Sequence, residues 1–530
     1  MKSALVEIAG RRGGPATIRR MGYAVLLVLL GIETSVFIVR DQWNGLYLAI
    51  LLGAIGFVLY TVSSNTFEKL ISLAFFCLPF QAAFVIEMGL TVRLSHIFGA
   101  LALAFGIYLG KIRRISSSPE FIYLAGFVVI AVASTIMTVS APSVDYWKIS
   151  GIRGLRIRSI IQSFQLFGMV AIMYMTVLFC RTQARFRQAA GLIAAGTTIV
   201  VAYGLYGFLA SPLGIQYIDI NNAQNSDYSY GYRVLSHGIG RFDIPRPRST
   251  FVEPLNFANF MLFGLPLLAA NLATARTPRG RVGRGALLAV GILVFLVTNS
   301  RGAAVGALVG GLAILASLRK SKFVASYFGW LAASFAFVLL IAYAVIPIVL
   351  PGMEFSTVVE YVRSRVEETQ ELKGRGGSSQ FFLYLPLILE YPWLGVGFGN
   401  IQFYSGKLEG VTQMGVGGEV GLYWRLLAEV GILGTILYLL FLGTILWKVL
   451  KITRARRTGW EERIYAWAIL FAMVADSVQR ITLVGIVQDA HLWVMFGLGL
   501  ALIQITRASR QLAMSATFSQ GGVGSPARSS

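Results

Sequence analysis

Long apolar runs recur along nearly the whole of this chain. Hydrophobic residues make up 56% of the 530 residues and charged residues only 13%, whereas a soluble domain carries about 25% charged residues. A helix that crosses a bilayer needs roughly 20 apolar residues. The recurrence therefore excludes a soluble globular enzyme, a disordered chain and a protein with a single membrane anchor. It predicts an all-α polytopic membrane protein.

The runs predict about 14 transmembrane helices with large extracytoplasmic loops. The stretch that follows the basic N-terminus is interpreted as the first of these helices, because no small-residue cleavage site follows it. The expected spans lie near residues 22–39, 45–62, 70–88, 95–110, 120–140, 159–180, 188–210, 251–273, 285–299, 302–318, 323–350, 422–447, 464–479 and 483–505.

The distribution of charge predicts how these helices are oriented. There are 46 Lys and Arg residues against 24 Asp and Glu residues, a net charge of +22. In a soluble chain this excess would indicate a nucleic-acid partner, but basic loops also orient membrane helices. With the N-terminus in the cytoplasm, the short segments on the cytoplasmic side are basic and nearly free of acids. We therefore expect both termini in the cytoplasm and no nucleic-acid partner.

This map divides the chain into seven parts. A cytoplasmic basic N-terminus (1–21) precedes N-terminal transmembrane helices (22–210), an outer basic loop (211–250) and central transmembrane helices (251–350). A large outer loop, the candidate catalytic segment (351–421), precedes C-terminal transmembrane helices (422–505) and a tail (506–530). The tail is rich in Ser and Gly, so it is expected to be cytoplasmic and disordered.

Few residues could bind a metal. The two cysteines, Cys77 and Cys180, each lie in an apolar run, and the chain has only three histidines. This excludes a disulfide scaffold and a cysteine-based metal site, and it argues against a histidine-rich one. No cofactor is expected, so arginines and carboxylates are the candidate functional groups.

The outer basic loop ends in a cluster of cations. It contains His237, Arg241, Arg246 and Arg248. Arginine presents a planar fork of donors that suits phosphate or carboxylate. Two interpretations stay open: solvated loop charges attracted to anionic headgroups, or a site for a diphosphate or an acidic sugar.

Polar residues also mark the start of the next span and a turn beyond it. Glu253 and Asn256 begin an apolar helix, where polar groups are expensive and usually face protein or water. Glu253 either acts in a site or pairs with a nearby arginine. Arg301 lies in a tight turn, as a site residue or as an arginine that extends to the membrane surface. The small residues that follow allow helices to approach closely.

The large outer loop offers further candidates. It begins with a charged stretch, expected to be an amphipathic helix, that ends near Arg375. Residues 381–390 are too short to span and are interpreted as interfacial or re-entrant. Residues 392–400 form a Gly-rich turn that lacks the context of a nucleotide-binding fingerprint. Glu419 precedes the next span.

Two polar groups lie within the C-terminal spans. Glu429 follows Arg425 by four residues, so the two are expected to pair on one helix face. Arg480 lies in a polar stretch near the last hairpin. It either pairs with neighbouring helices or contributes to the outer site.

Four short segments, in this order, carry a resemblance. They are 248–256 (RSTFVEPLN), 299–302 (NSRG), Arg375 with 392–397 (PWLGVG), and 427–434 (LAEVGILG). The ordered set resembles the O-antigen ligase and polymerase superfamily over roughly residues 241–434. The first 210 residues resemble it only in hydropathy.

The resemblance implies a membrane glycosyltransferase of the GT-C kind in the bacterial inner membrane, with its site facing the periplasm. Its donor would be an oligosaccharide on undecaprenyl diphosphate, and it would need no metal. Ligases of this family usually carry a His-Asn pair, which by spacing would fall near Val420 and Gly421, and neither residue matches it. Its absence favours a polymerase of O-antigen or exopolysaccharide repeat units over a ligase that uses lipid A-core.

The resemblance also assigns roles to the candidates, because without a metal the arginines must neutralise the diphosphate. The expected diphosphate-binding residues are Arg248, Arg301 and Arg375, with Arg246 and Arg241 in reserve. The candidate bases for the acceptor hydroxyl are Glu253, Glu419 and His237. Supporting residues are Asn256, Arg425, Glu429 and Arg480.

The expected partners are the lipid-linked oligosaccharide and membrane lipids, and a chain-length regulator is left open. Two other classes of function remain. A lipid-linked oligosaccharide flippase should line a central cavity with charge, whereas this chain concentrates its charge in outer loops. A non-catalytic scaffold of an envelope assembly complex is the third class.

Overall fold

The computed structural model describes the chain in segments. These are residues 66–81, 86–87, 91–108, 118–140, 155–210, 213, 215, 236–239, 242–251, 253–275, 277–298, 300–317, 377–401, 404, 421–455, 458–482 and 489–521. The predicted amphipathic helix that ends near Arg375 lies outside them, as do the predicted spans 22–39, 45–62 and 323–350.

The described segments form twelve helices and two short antiparallel hairpins. The helices are α1 (Thr66–Phe76), α2 (Leu94–Tyr108), α3 (Pro119–Ser140), α4 (Leu155–Phe179), α5 (Gln183–Ala210), α6 (Pro254–Ala273), α7 (Pro278–Val297), α8 (Arg301–Ser317), α9 (Gly377–Glu390), α10 (Leu422–Arg454), α11 (Trp460–Thr482) and α12 (Ala490–Gly521). The strands are β1 (Ile86–Glu87) with β2 (Thr91–Val92), and β3 (Ser236–Ile239) with β4 (Phe242–Pro245).

Eight of these helices are long and apolar enough to cross a membrane: α3, α4, α5, α6, α7, α10, α11 and α12. Helices α2 and α8 coincide with predicted spans but are shorter. The chain is thus a multi-pass helical membrane protein. Three of the long helices begin at a proline, Pro119, Pro254 and Pro278, where the missing N–H costs no helical hydrogen bond.

One predicted span is wrong as a continuous helix. The run 70–88 is helical only to Phe76, and Phe80 N then donates to the Cys77 carbonyl in a turn. Pro79 explains the break, since it has no N–H and restricts the residue before it. The chain continues into the hairpin of β1 and β2.

Consecutive long helices run antiparallel and define two ends of a bundle. At the lower end, where α3, α5 and α11 begin, ion pairs join neighbouring helices. Lys448 of α10 pairs with Glu120 of α3, and Arg187 of α5 with Glu461 of α11. At the upper end α3, α5, α7 and α11 finish, and α4, α6, α8, α10 and α12 begin.

Helix α8 packs closely on α11 through small residues, as the sequence predicts. A Cβ atom on Gly306 would lie 2.4 Å from the Ala475 carbonyl oxygen. Ala303 packs in the same cluster as Ala475, together with Ala258 and Leu262 of α6. Glycine and alanine at this interface therefore hold α6, α8 and α11 together.

We expect Gly306→Ala to destabilise the protein by about 1–3 kcal/mol, the usual cost of overpacking, because the added methyl group meets backbone. Gly311→Ala on the same helix is the control, since nothing lies within 4 Å of its Cβ position. Thermal unfolding in detergent should show a lower Tm for the first variant only. Equal Tm values for both would contradict the close packing.

Candidate active site

The segment that precedes α6 is anchored in the upper part of the bundle. Arg246 Nε donates to the Thr298 carbonyl oxygen at 2.8 Å, next to the turn that begins α8. Ser249 Oγ donates to the Val200 carbonyl oxygen at 2.7 Å, and Thr250 Oγ1 to that of Pro79 at 2.7 Å. Two motifs that lie about 50 residues apart in the chain are thereby brought together.

The beginnings of α6 and α8 lie side by side, because Ala258 and Ala303 belong to one buried cluster. Glu253 directly precedes α6 and Arg301 is the first residue of α8. A helix N-terminus carries partial positive charge from its free N–H groups. These two ends, together with Arg246, Arg248 and Arg301, bring positive charge to this region of the upper end.

Glu253 contributes a carboxylate to this region. It precedes the helix in an extended conformation and its side chain makes no capping hydrogen bond. It is half-buried. Burial raises its pKa above the ordinary value of 4.5, while the positive charge of Arg246 opposes the rise. A carboxyl group with a raised pKa is a stronger base when ionised.

The structure brings together only part of the predicted site. Arg246, Arg248, Glu253, Asn256 and Arg301 all lie at the upper end; Arg301 is exposed and the others are half-buried. Of His237 the structure gives only its place in β3. The remaining candidates lie outside the described residues: Arg241, Arg375 and Glu419.

A second pair of motifs meets at a break in α10. Gly431 has a φ of 67°, which interrupts the helix. Val396 N donates to the Ala428 carbonyl oxygen and Gly397 N to that of Glu429, both at 2.9 Å. Ile432 N donates to the Pro392 carbonyl oxygen at 2.8 Å. The Gly-rich segment 392–400 thus supplies hydrogen bonds that the broken helix lacks.

The same segment is tied to α3 and α4. Thr138 Oγ1 of α3 donates to the Val396 carbonyl oxygen at 2.6 Å, and Ser159 Oγ of α4 donates to Asn400 Oδ1 at 3.0 Å. A Cβ atom on Gly395 would lie 2.4 Å from the Glu429 carbonyl carbon. The sequence identifies this segment as a turn but not its partner, because the contacts span long separations along the chain.

The predicted pair on α10 is confirmed. Arg425 Nε donates to Glu429 Oε1 at 2.8 Å, and the two side chains are 12% and 2% exposed. The pair lies on the half of α10 above the break at Gly431. It is therefore held rigidly beside the Gly-rich segment.

Arg480 is the centre of a buried ionic network. Its Nε donates to Asp476 Oδ2 at 2.7 Å, and its Nη2 to Asp489 Oδ2 at 3.3 Å. Arg93 Nη1 approaches Asp489 Oδ1 at 3.4 Å. Arg480 and Asp476 are each 2% exposed. The sequence left two interpretations of Arg480 open, pairing with neighbouring helices or a contribution to the outer site. Its contacts with Asp476 and Asp489 agree with the first.

Neutral polar groups extend the network. Arg480 Nη2 lies 3.3 Å from His491 Nε2, and the Gln81 amide lies 3.0 Å from His491 Nδ1. Sequence reasoning missed Gln81 and Arg93; the available signal was a polar side chain beside an apolar run.

Comparison with known proteins adds no identification. No model of a known protein family matches the chain, and no curated protein matches it significantly. Within the described residues, no group of three His, Cys, Asp or Glu side chains is placed to hold a metal ion. The function must be argued from the site itself.

We expect Glu253→Gln to raise the Tm at pH 7.5. Because the folded-state pKa of Glu253 is raised, its protonated form favours folding, and that contribution is lost as pH rises through the folded pKa. Glutamine imitates the protonated form, so the gain should shrink to zero as pH falls to 4. The measurement is thermal unfolding in detergent at both pH values.

Glu68→Gln is the control for this experiment. Glu68 pairs with Arg185 at 2.6 Å at the lower end, so its neutralisation should lower the Tm at pH 7.5 or leave it unchanged. If Glu253→Gln lowered the Tm at pH 7.5 as well, Glu253 would be a stabilising ion-pair partner and not a carboxylate whose ionised form is destabilised by burial.

Proposed function

We propose that this protein is a membrane glycosyltransferase that polymerises undecaprenyl-diphosphate-linked oligosaccharide repeat units. The observation that supports this most is the grouping of Arg246, Arg301 and Glu253 at the upper end. It combines cations suited to a diphosphate with a carboxylate suited to proton transfer. The ordered motifs that resemble the O-antigen ligase and polymerase superfamily contribute Glu253 and Arg301, and Arg246 lies just before the first of them.

The arginines would act on the leaving group. In the reaction an acceptor hydroxyl attacks the anomeric carbon of the donor sugar, and the bond from that carbon to the diphosphate oxygen breaks. Arg248 and Arg301 would neutralise the negative charge that develops on the diphosphate, assisted by the N-termini of α6 and α8.

Glu253 would accept the proton of the attacking hydroxyl. Its half-buried position raises its pKa, so the carboxylate is more basic than a fully solvated one. It precedes α6, next to the Arg246 segment, so base and cations share one rigid frame. In this proposal Arg246 both binds Thr298 and limits the rise in the pKa of Glu253.

The surroundings of Gly421 favour a polymerase over a ligase. A Cβ atom at Gly421 would lie 2.2 Å from the Ile481 carbonyl oxygen. The ligase His-Asn pair would fall near this position, and a side chain at Gly421 cannot fit without a shift of backbone. Transfer to lipid A-core is therefore the second candidate.

The distribution of charge supports an upper end that faces the periplasm. Arg181, Arg279, Arg284 and Lys451 lie at the lower end and are exposed. Cytoplasmic segments are the basic ones in bacterial membrane proteins. In this orientation both termini would be cytoplasmic and lipid-linked donors would reach the site from the outer leaflet of the inner membrane.

A transfer assay with purified protein tests the function. Lipid-linked repeat units are the only sugar source, no metal is added, and products are resolved by size. We expect a ladder of longer lipid-linked glycans. Transfer only after addition of lipid A-core would instead identify a ligase. Movement of donor between liposome leaflets without any new glycan would identify a flippase and refute the proposal.

Within that assay we expect Arg301→Ala to reduce transfer by at least about 100-fold, the usual loss on removal of one preorganised charge-stabilising group. Membrane insertion and Tm should stay at their wild-type values because Arg301 is exposed. Arg279→Ala is the matched control, since Arg279 lies in the first turn of α7 at the lower end. Wild-type activity of the Arg301 variant would remove this residue from the site.

The pH dependence of transfer tests the base. Transfer should fall as pH decreases through the pKa of Glu253, which lies above 4.5, because the protonated carboxyl group cannot accept a proton. Glu253→Gln should lose most activity at every pH. A variant that retains both activity and the acidic fall would assign the base to another residue.

A further inference from the structure

Asn259 connects α6 to the Arg480 network. With its amide nitrogen toward the carboxylate, it donates to Asp476 Oδ1 at 2.8 Å and to Gln479 Oε1 at 3.0 Å, and its oxygen accepts from Arg480 Nη2 at 3.0 Å. In this orientation every donor meets an acceptor. Asn259 is 6% exposed and lies six residues after Glu253.

The network joins parts of the chain that lie far apart in the sequence. Asn259 belongs to α6, and Asp476 and Arg480 belong to α11. Asp489 directly precedes α12, and Gln81 follows α1. Apolar contact tolerates rotation or sliding of a helix, whereas a buried polar group that loses its partner carries a large desolvation cost. The bonds of Asn259 therefore define the rotation and height of the upper turns of α6.

Among the described residues, the ion pairs of the network join two cations to two anions. Arg93 and Arg480 face Asp476 and Asp489. Arg480 forms ion pairs with both Asp476 and Asp489, and its side chain is 2% exposed. Its placement suits holding neighbouring helices and does not suit binding a substrate anion.

We propose that Asn259 and Arg480 are positioning residues that hold the start of α6, and with it Glu253, in register with the arginines near Thr298. The inference rests on the proposed function for its catalytic consequence, but the structural part stands by itself. A reacting group displaced by about 1 Å can lose about 100-fold in rate. Removal of the hydrogen bonds between Asn259 and α11 should therefore lower kcat and leave donor binding intact.

The same helix provides a matched control. Asn271 lies near the other end of α6, where its Nδ2 donates to the Ala190 carbonyl oxygen at 3.2 Å and its Oδ1 accepts from Tyr465 at 3.0 Å. It is also an asparagine that joins α6 to α5 and α11. Asn271→Ala removes similar hydrogen bonds between helices, at the end of α6 that lies far from Glu253.

The experiment compares Asn259→Ala, Arg480→Lys and Asn271→Ala with the wild-type protein in detergent. Two properties are measured: hydrogen exchange of peptides that cover 254–260, and kcat and KM for the lipid-linked donor. We expect Asn259→Ala to speed exchange over 254–260 and to lower kcat about 10- to 100-fold, with KM within about twofold. Asn271→Ala should change neither property, and Arg480→Lys should resemble Asn259→Ala.

Each other outcome has a distinct meaning. Wild-type exchange over 254–260 in the Asn259 variant would overturn the proposal. A raised donor KM in Arg480→Lys, with kcat and exchange unchanged, would overturn it also, because Arg480 would then bind the donor. If Asn259→Ala does not fold, Arg480→Lys alone decides between these results. If the wild-type protein transfers no sugar, the proposed function fails, and the exchange measurement still decides the positioning role.

Discussion

A charged group at membrane depth must meet an opposite charge, and Arg480 shows how far this constraint reaches. Its guanidinium contacts Asp476 within α11 and Asp489 at the start of α12. Asp489 in turn meets Arg93, far away in the sequence. Loss of one partner would leave an uncompensated buried charge. The arrangement of the upper end of the bundle therefore depends on these pairs in addition to apolar packing.

The backbone is subject to the same rule. Apolar surroundings provide no water for free carbonyl groups, so a broken helix needs other donors. At the break near Gly431, the Gly-rich segment 392–400 supplies them through Val396 and Gly397. This explains why glycines are required there: a Cβ atom on Gly395 or Gly431 would lie 2.3–2.4 Å from backbone of the other segment. The glycines allow the two backbone segments to approach closely, and this close approach allows the hydrogen bonds between them to form.

Local patterns predict the helices and fail for the contacts between them. Apolar runs identify most of the described helices, since hydropathy and length alone govern a span. The pair of Arg425 and Glu429 is also predictable, because a separation of four residues determines it. The end of α1 is not found, since an apolar run conceals the turn at Pro79. The network of Arg480 is missed in part, because Gln81, Arg93 and Asn259 meet it only through tertiary structure.

Burial distinguishes the structural cation from the candidate functional cations at the upper end. Around Arg480, two arginines meet two carboxylates, and Arg480 and Asp476 are buried. In the segment before α6 and at the start of α8, Arg246, Arg248 and Arg301 accompany the half-buried carboxylate of Glu253. Arg480 therefore fits a structural frame, because carboxylates inside the bundle meet its charge. Arg301 is exposed, so under the proposed function it is accessible to a diphosphate that reaches the upper end from outside the bundle.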